Sequence, residues 1–190
     1  MIIPQMATPS ITLPSLKKKT REYFIEYLIK NYSWNEGAEL GLWKGRTFLH
    51  LLNNCKNLTL HGVDLWEPQP NNIGPENYIN WSHKENEKHV RNSSNKFGDR
   101  AIIYKMLTDE AAKHIKDNSL DFIFIDADHS SESVKNDILN WTPKVKQSGM
   151  IIGHDYNWEC VKIIADYYFP NLEVGPDNVW FAWNNGKDYL

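Results

Sequence analysis

The sequence predicts an α/β fold, a mostly parallel sheet with helices on both faces, and three observations predict it. Apolar runs of strand length alternate with segments whose apolar residues recur at three- and four-residue spacing. One run, "LDFIFIDADH" (120–129), is nearly continuously apolar, as in a strand covered on both faces. The last two runs, "LEV" and "NVWFAW", have no helical segment between them, so the sheet should close with an antiparallel hairpin.

Each element follows in order. From Ser15, Leu16, Tyr23, Phe24, Tyr27 and Leu28 share one helical face, with the run Lys17 to Lys19 as its solvated side. "GAELG" (37–41) reads as the first strand, and after Gly45 the residues Phe48, Leu51, Leu52 and Cys55 mark a helix. "LTLHGVDLW" (58–66) is the second strand and "AIIYKML" (101–107) the third. Thr108 is the expected cap of a short helix whose first turn carries Asp109 and Glu110. After the fourth strand, Val134, Ile138 and Trp141 line a helix that stops before Pro143. "GMIIGHDY" (149–156) is the fifth strand, and Val161, Ile164, Ala165 and Tyr168 line a helix stopped by Pro170. Five strand-and-helix units and two final strands make a seven-stranded sheet.

The 190 residues suit one domain, 1–190, since a chain of that length buries about 70% of its unfolded surface. Within it, 1–35 form an N-terminal segment and helix, and the polar interval 66–99 is an insertion long enough for a lid or acceptor wall. Tyr78 and Trp81 belong to that interval, as acceptor wall or as packing of its own helix. An apolar fraction of 41% excludes a disordered composition. A net charge of −3 with interspersed signs disfavours nucleic-acid or membrane-surface binding and leaves a small molecule as the expected partner. Cys55 and Cys160 have no partner at metal spacing and read as buried thiols of a reducing compartment. The N-terminus has no basic start and is broken by Pro4, Pro9 and Pro14, so the expected location is cytoplasmic.

Sheets of this kind bind ligands beyond the carboxyl ends of their strands, where the strand order reverses. The residues there are Glu39 and Gly41, Asp64, Asp126 and Asp128, and His154 and Asp155. Converging carboxylates repel one another unless a cation or a donor-rich ligand lies among them. An acid ending the second strand is placed to accept from both hydroxyls of a ribose, which makes Asp64 the ribose candidate. A pyrophosphate cradle would need G-x-G-x-x-G, whereas "ELGLWKG" puts an acid two residues before its first glycine. That acid suits an ammonium group better than a phosphate, and the missing second and third phosphate glycines argue against an oxidoreductase.

On Glu39, Gly41 and Gly45 the chain resembles the class I S-adenosylmethionine-dependent methyltransferases, whose fold is Rossmann-like. The segment from Phe122 to Tyr156, with D-x-D-H at 126–129 and GHDY at 153–156, is similar to a group of small O-methyltransferases. The resemblance implies S-adenosylmethionine, with Glu39, Gly41 and Gly45 near its methionine part, Asp64 on its ribose, and Trp66 and Thr108 about its adenine. Asp126 then serves both cofactor and chemistry. Related enzymes acting on catechols, caffeoyl thioesters and macrolide sugars hold a divalent cation, and by that resemblance Asp126 and Asp155 are candidate ligands for Mg²⁺. The third ligand is Tyr156 or His154, neither of which matches the pattern. His129 is the implied base, oriented by Asp126 or Asp128, although Asp128 can equally cap the next helix with Ser130 or Ser131. The expected activity is O-methylation of a small hydroxylated molecule such as a sugar. The rivals are a catalytically silent cofactor-binding module and another Rossmann-like enzyme such as an oxidoreductase. No role falls to His50, His61, His83, His89 or His114.

Overall fold

The computed structural model describes residues 20–67 and 82–186. Expectations for Leu16, Lys17 to Lys19, Tyr78 and Trp81 fall outside the described residues. The chain runs α1 (Arg21–Tyr32), β1 (Glu36–Leu40), α2 (Arg46–Asn54), β2 (Thr59–Val63), α3 (His83–Ser94) and β3 (Ala101–Tyr104). It continues through α4 (Thr108–Ala112), β4 (Leu120–Ile125), α5 (Ser131–Trp141), β5 (Val145–Gly153), α6 (Glu159–Tyr168), β6 (Glu173–Val174) and β7 (Trp180–Trp183).

The seven strands form one sheet in the order β3-β2-β1-β4-β5-β7-β6. Strands β1 to β5 pair in parallel, and β7 lies antiparallel between β5 and β6. This is the predicted Rossmann-like sheet with its closing hairpin. Strand order reverses between β1 and β4, so the crevice favoured for ligands opens beyond Leu40 and Ile125.

Period-two alternation divides the core. Phe122 and Phe124 join Phe24, Leu28, Phe48, Leu51 and Phe181 on one face. Ile123 and Ile125 join Leu40, Ile138, Trp141, Ile151 and Trp180 on the other. Both clusters are buried, which is why β4 reads as a continuous apolar run. The buried stripe of α1 is Phe24, Ile25, Leu28 and Ile29; Tyr23 and Tyr27 are half-buried, about one position off the expected face. Glu22 and Glu26 accept from Arg46 and His50 at 2.7 and 2.6 Å and tie α1 to α2.

Strands β2, β3 and β4 are shorter than their apolar runs, whereas β5 starts four residues earlier than expected, at Val145, and ends at Gly153. β2 stops at Val63 and β3 at Tyr104, because the following residues turn out of the sheet to build loops. Trp66 and Asp155 even take left-handed backbone, with φ of 48° and 53°. Thr108 does not cap α4: Leu107 is the capping residue, Thr108 is the first helical one, and no side-chain cap bond forms. Along α6 only Val161 and Ala165 are buried, while Ile164 and Tyr168 are half-buried. Both cysteines are free, and Cys160 is only half-buried. The interval 66–99 contains α3, whose Val90 is buried in the core. No helix among the described residues is long and apolar enough to cross a membrane.

Candidate active site

A cavity of about 500 Å³ opens at the reversal point of the sheet. Strand ends and the loops after them line it, and the predicted residues Glu39, Gly41, Asp64, Trp66, Thr108 and Asp126 are in its wall, as are Asp128, His129 and Asp155. Gly45 is not. It stands at φ 73° at the start of α2, where an added Cβ would lie 2.8 Å from a methyl of Val90. That glycine packs α2 against α3 and shapes the cavity through the turn it makes. Gly41 is more demanding: at φ 88° its missing Cβ would fall 2.1 Å from the carbonyl oxygen of Asp126. Only a glycine lets the ends of β1 and β4 come this close.

Three carboxylates set the electrostatics of the inner wall. Glu39 is 3% exposed, and its Oε2 has no hydrogen-bond partner. Burial, with Asp126 nearby, holds its carboxyl well above the usual range, and Arg21 opposes that only in part. An orphaned carboxylate oxygen in a cavity wall is a seat for a donor. Asp64 accepts from the backbone N–H of Trp43 and of Trp66, both at 2.6 Å, which ties the β1 and β2 loops together. Burial still raises its pKa against those bonds. The Leu42 backbone N–H is a third donor to Asp64, so about one of the carboxylate's four lone-pair sites is left for a ligand. Trp66 is buried, and its indole N–H donates to the Trp43 carbonyl at 2.8 Å.

The outer part is a charge network. His129 Nε2 lies 2.7 Å from Asp155 Oδ2 and 4.0 Å from Asp126 Oδ1. The short contact is a charge pair whenever the ring is protonated. Asp155 is thus the partner of His129, in place of the expected Asp126 or Asp128. Asp128 instead accepts from the Ser130 backbone N–H at 2.7 Å, and the Ser130 hydroxyl caps α5. Burial alone would depress the His129 imidazole; Asp155, with Asp126 and Asp128 behind it, outweighs that and raises its pKa. The ring packs against Trp158, 4.8 Å between centroids.

His154 Nδ1 stands 3.5 Å from Asp126 Oδ1 and 3.1 Å from Asp155 Oδ1. Burial opposes protonation, but these carboxylates push its pKa up to about 9. The two imidazoles in turn hold Asp155 far below the usual carboxylate range, against the effect of burial. Arg21 Nη1 is 3.2 and 3.1 Å from the two His154 ring nitrogens, and such near-equal distances put it over the ring face. That stacking asks for no lone pair, so it is compatible with a charged imidazole. Arg21 Nε lies 3.6 Å from Asp126 Oδ2, and the Arg21 backbone N–H donates to Asp177 at 3.0 Å.

Sequence reasoning missed Arg21 and Asp137 and gave His154 too little. Nothing in "TREYF" announces that the first residue of α1 reaches across to β4 and β5. Asp137 did leave a signal, an acid on the apolar stripe of Val134, Ile138 and Trp141. It lines the cavity, and burial raises its pKa to about 7, with the Thr108 hydroxyl opposing and Asp128 and Asp109 adding.

The chain matches a family described as a methyltransferase domain over residues 38–156. Among solved structures, the O-methyltransferase NovP is 17% identical with a TM-score of 0.65, over 86% of this chain and 78% of that one. Cofactor-bound Rv0187 from MTB is 15% identical with a TM-score of 0.62, over 93% and 83%. SAH-bound methyltransferase PaMTH1 of Podospora anserina is 13% identical with a TM-score of 0.59, over 86% and 77%. At such identities the likeness is one of fold. No curated protein matches the chain.

Proposed function

We propose a function from one premise: the chain belongs to the methyltransferase-domain family. The reaction is S-adenosylmethionine-dependent O-methylation of a small hydroxylated molecule such as a sugar. The observation that carries the reading is Glu39, a buried carboxylate with an unpartnered oxygen in the wall of a cavity at the sheet's reversal point. When bound, S-adenosylmethionine supplies a methyl group on a cationic sulfur, together with an ammonium group. Glu39 is the residue that fits the ammonium, and Asp64 keeps an acceptor site for a ribose hydroxyl. Trp66 and Thr108 bound the region beside Asp64.

The leaving sulfur becomes neutral on transfer, so the chain has no departing anion to stabilise. Its tasks are positioning and proton removal. Holding reactants in line supplies about 7–11 kcal/mol. In the neutral ring of His129 with its proton on Nε2 toward Asp155, Nδ1 is the basic atom and takes the acceptor's hydroxyl proton, a step worth about 10² to 10⁴ in rate. Several acids in the wall disfavour anionic acceptors.

Mg²⁺, the other group the resemblance implies, fits the residues less well. Asp126, His154 and Asp155 each offer a donor atom within 4.8 Å of one another. Arg21 stands against the first two, and His129 and His154 already engage Asp155. No step is assigned to a metal. We place the reaction in the cytoplasm, where the two unpaired cysteines are at home, with a small-molecule partner and neither nucleic acid nor membrane. A thermal-shift series tests the reading: S-adenosylmethionine and S-adenosylhomocysteine should raise Tm, NAD and ATP should not. A shift by NAD alone would replace methyl transfer with redox chemistry. Homocysteine release across sugars, phenols and acids then identifies the acceptor, and no release with any of them favours the silent binding module.

A further inference from the structure

We propose that Arg21, paired with Asp126 over the ring of His154, is a resident cation of this site and takes the place of a divalent metal ion. The argument begins with charge. Two carboxylates at neighbouring strand ends, beside the buried Glu39, need positive charge close by. A dication would supply it in a cluster of this donor composition. Here the guanidinium supplies it on the Asp126 side, its Nε 3.6 Å from Asp126 Oδ2 and its Nη1 over the ring of His154, the third potential ligand, while the imidazoles of His129 and His154 supply it at Asp155. A guanidinium keeps its charge at every physiological pH and is weakly hydrated, so it tolerates a half-buried seat better than an ammonium. The His154 ring fills the remaining space, its Nδ1 pointing between Asp126 and Asp155.

The position of Arg21 is built into the fold. It opens α1, and its backbone N–H is anchored to Asp177 at 3.0 Å in the turn before β7. His154 Nε2 approaches the same Asp177 carboxylate, at 4.0 Å. Helix α1 in turn is fixed to α2 through Glu22 and Glu26. A metal entering among Asp126, His154 and Asp155 would have to displace this side chain and meet its charge at close range. Arg21 is therefore a positioning and neutralising residue, held near the place where an acceptor oxygen must lose its proton. The consequence for turnover rests on the methyl-transfer reading; the consequence for metal binding does not.

The test uses the full chain and Mn²⁺ alone as the probe, followed by electron paramagnetic resonance and calorimetry, with and without S-adenosylhomocysteine. Wild-type protein is expected to bind no Mn²⁺ tighter than about 1 mM. Arg21→Gln exposes the carboxylates and should bind Mn²⁺ at least about tenfold more tightly than wild type. Arg21→Lys should behave as wild type toward Mn²⁺, which a purely structural role for the helix start would not require. Where an acceptor is known, wild-type turnover should survive EDTA. Wild-type Mn²⁺ binding tighter than about 1 mM, or EDTA abolishing turnover, overturns the proposal even if Arg21→Gln cannot be purified folded. So does Arg21→Gln binding Mn²⁺ no better than wild type. Absence of any S-adenosylhomocysteine response would instead refute the methyl-transfer reading and leave the Mn²⁺ result standing.

Discussion

Replacing Glu39 by glutamine should stabilise the protein while weakening its hold on the methyl donor. Glu39 is 3% exposed, one of its oxygens is unpartnered, and its pKa is raised by burial and by Asp126. A buried unsatisfied polar group costs about 1–3 kcal/mol, more when charged. Glutamine keeps the shape and removes the charge, so a gain of about 1–2 kcal/mol is expected. For a chain of this length that is about 2–8 °C in Tm. The sign depends on pH. A carboxyl whose pKa is raised in the folded state is neutral in both states below its ordinary 4.5. Its destabilising effect sets in as pH rises past 4.5, grows up to the raised value and is constant beyond it. The Glu39→Gln gain should therefore be near zero in acid and develop toward neutral and alkaline pH. The ammonium loses a charged partner at the same time, which should weaken S-adenosylhomocysteine binding by about 10- to 150-fold. Thermal unfolding of the ligand-free protein across pH, with calorimetric titration of both proteins, measures each effect. A variant less stable than wild type at every pH, or one that binds S-adenosylhomocysteine as tightly, would refute the reasoning.

Three further outcomes follow from the same geometry. His129→Ala should lower kcat by about 10² to 10⁴, and the acid limb of kcat/KM in wild type should lie above pH 6.5, since Asp155 raises the imidazole's pKa. Asp155→Asn should move that limb to lower pH, and an unmoved limb would remove the pair from the mechanism. Gly41→Ala combines left-handed backbone with a Cβ 2.1 Å from a carbonyl oxygen, so it should cost at least about 3 kcal/mol, read as a fall in denaturation midpoint. For His154, a folded pKa near 9 against an ordinary 6.5 means stabilisation fully present below pH 6.5 and lost as pH rises to about 9. At about 1.4 kcal/mol per tenfold change in proton affinity the loss is about 3 kcal/mol, and His154→Gln should flatten that slope in urea unfolding.

How much of this was legible follows from the range of the forces involved. Alternation of apolar runs and helical periodicity is local, so "LDFIFI", the helix of Val134, Ile138 and Trp141, and the helix-free closing hairpin could be read directly. The strand-end acids were equally legible, because in a parallel sheet every β-to-α loop lies on one rim and its residues must converge. Glu39, Asp64, Asp126 and Asp155 do share one cavity. Partnership was not legible. Whether Asp155 or Asp128 faces His129 depends on loop backbone such as the left-handed Asp155, which no periodicity records. Gly45 and Gly41 look alike in "ELGLWKG", yet contact with Val90 turns one to helix packing, and the approach of Asp126 keeps the other at the site.

The sequence by itself determined the alternating architecture, the rim on which chemistry had to lie and the acids that crowd it, since these depend on hydrophobic period and chain direction alone. Only the tertiary structure decided what balances those acids. Arg21 is 105 residues from Asp126 in the chain, and only the docking of α1 against the turn before β7 carries its charge into their midst.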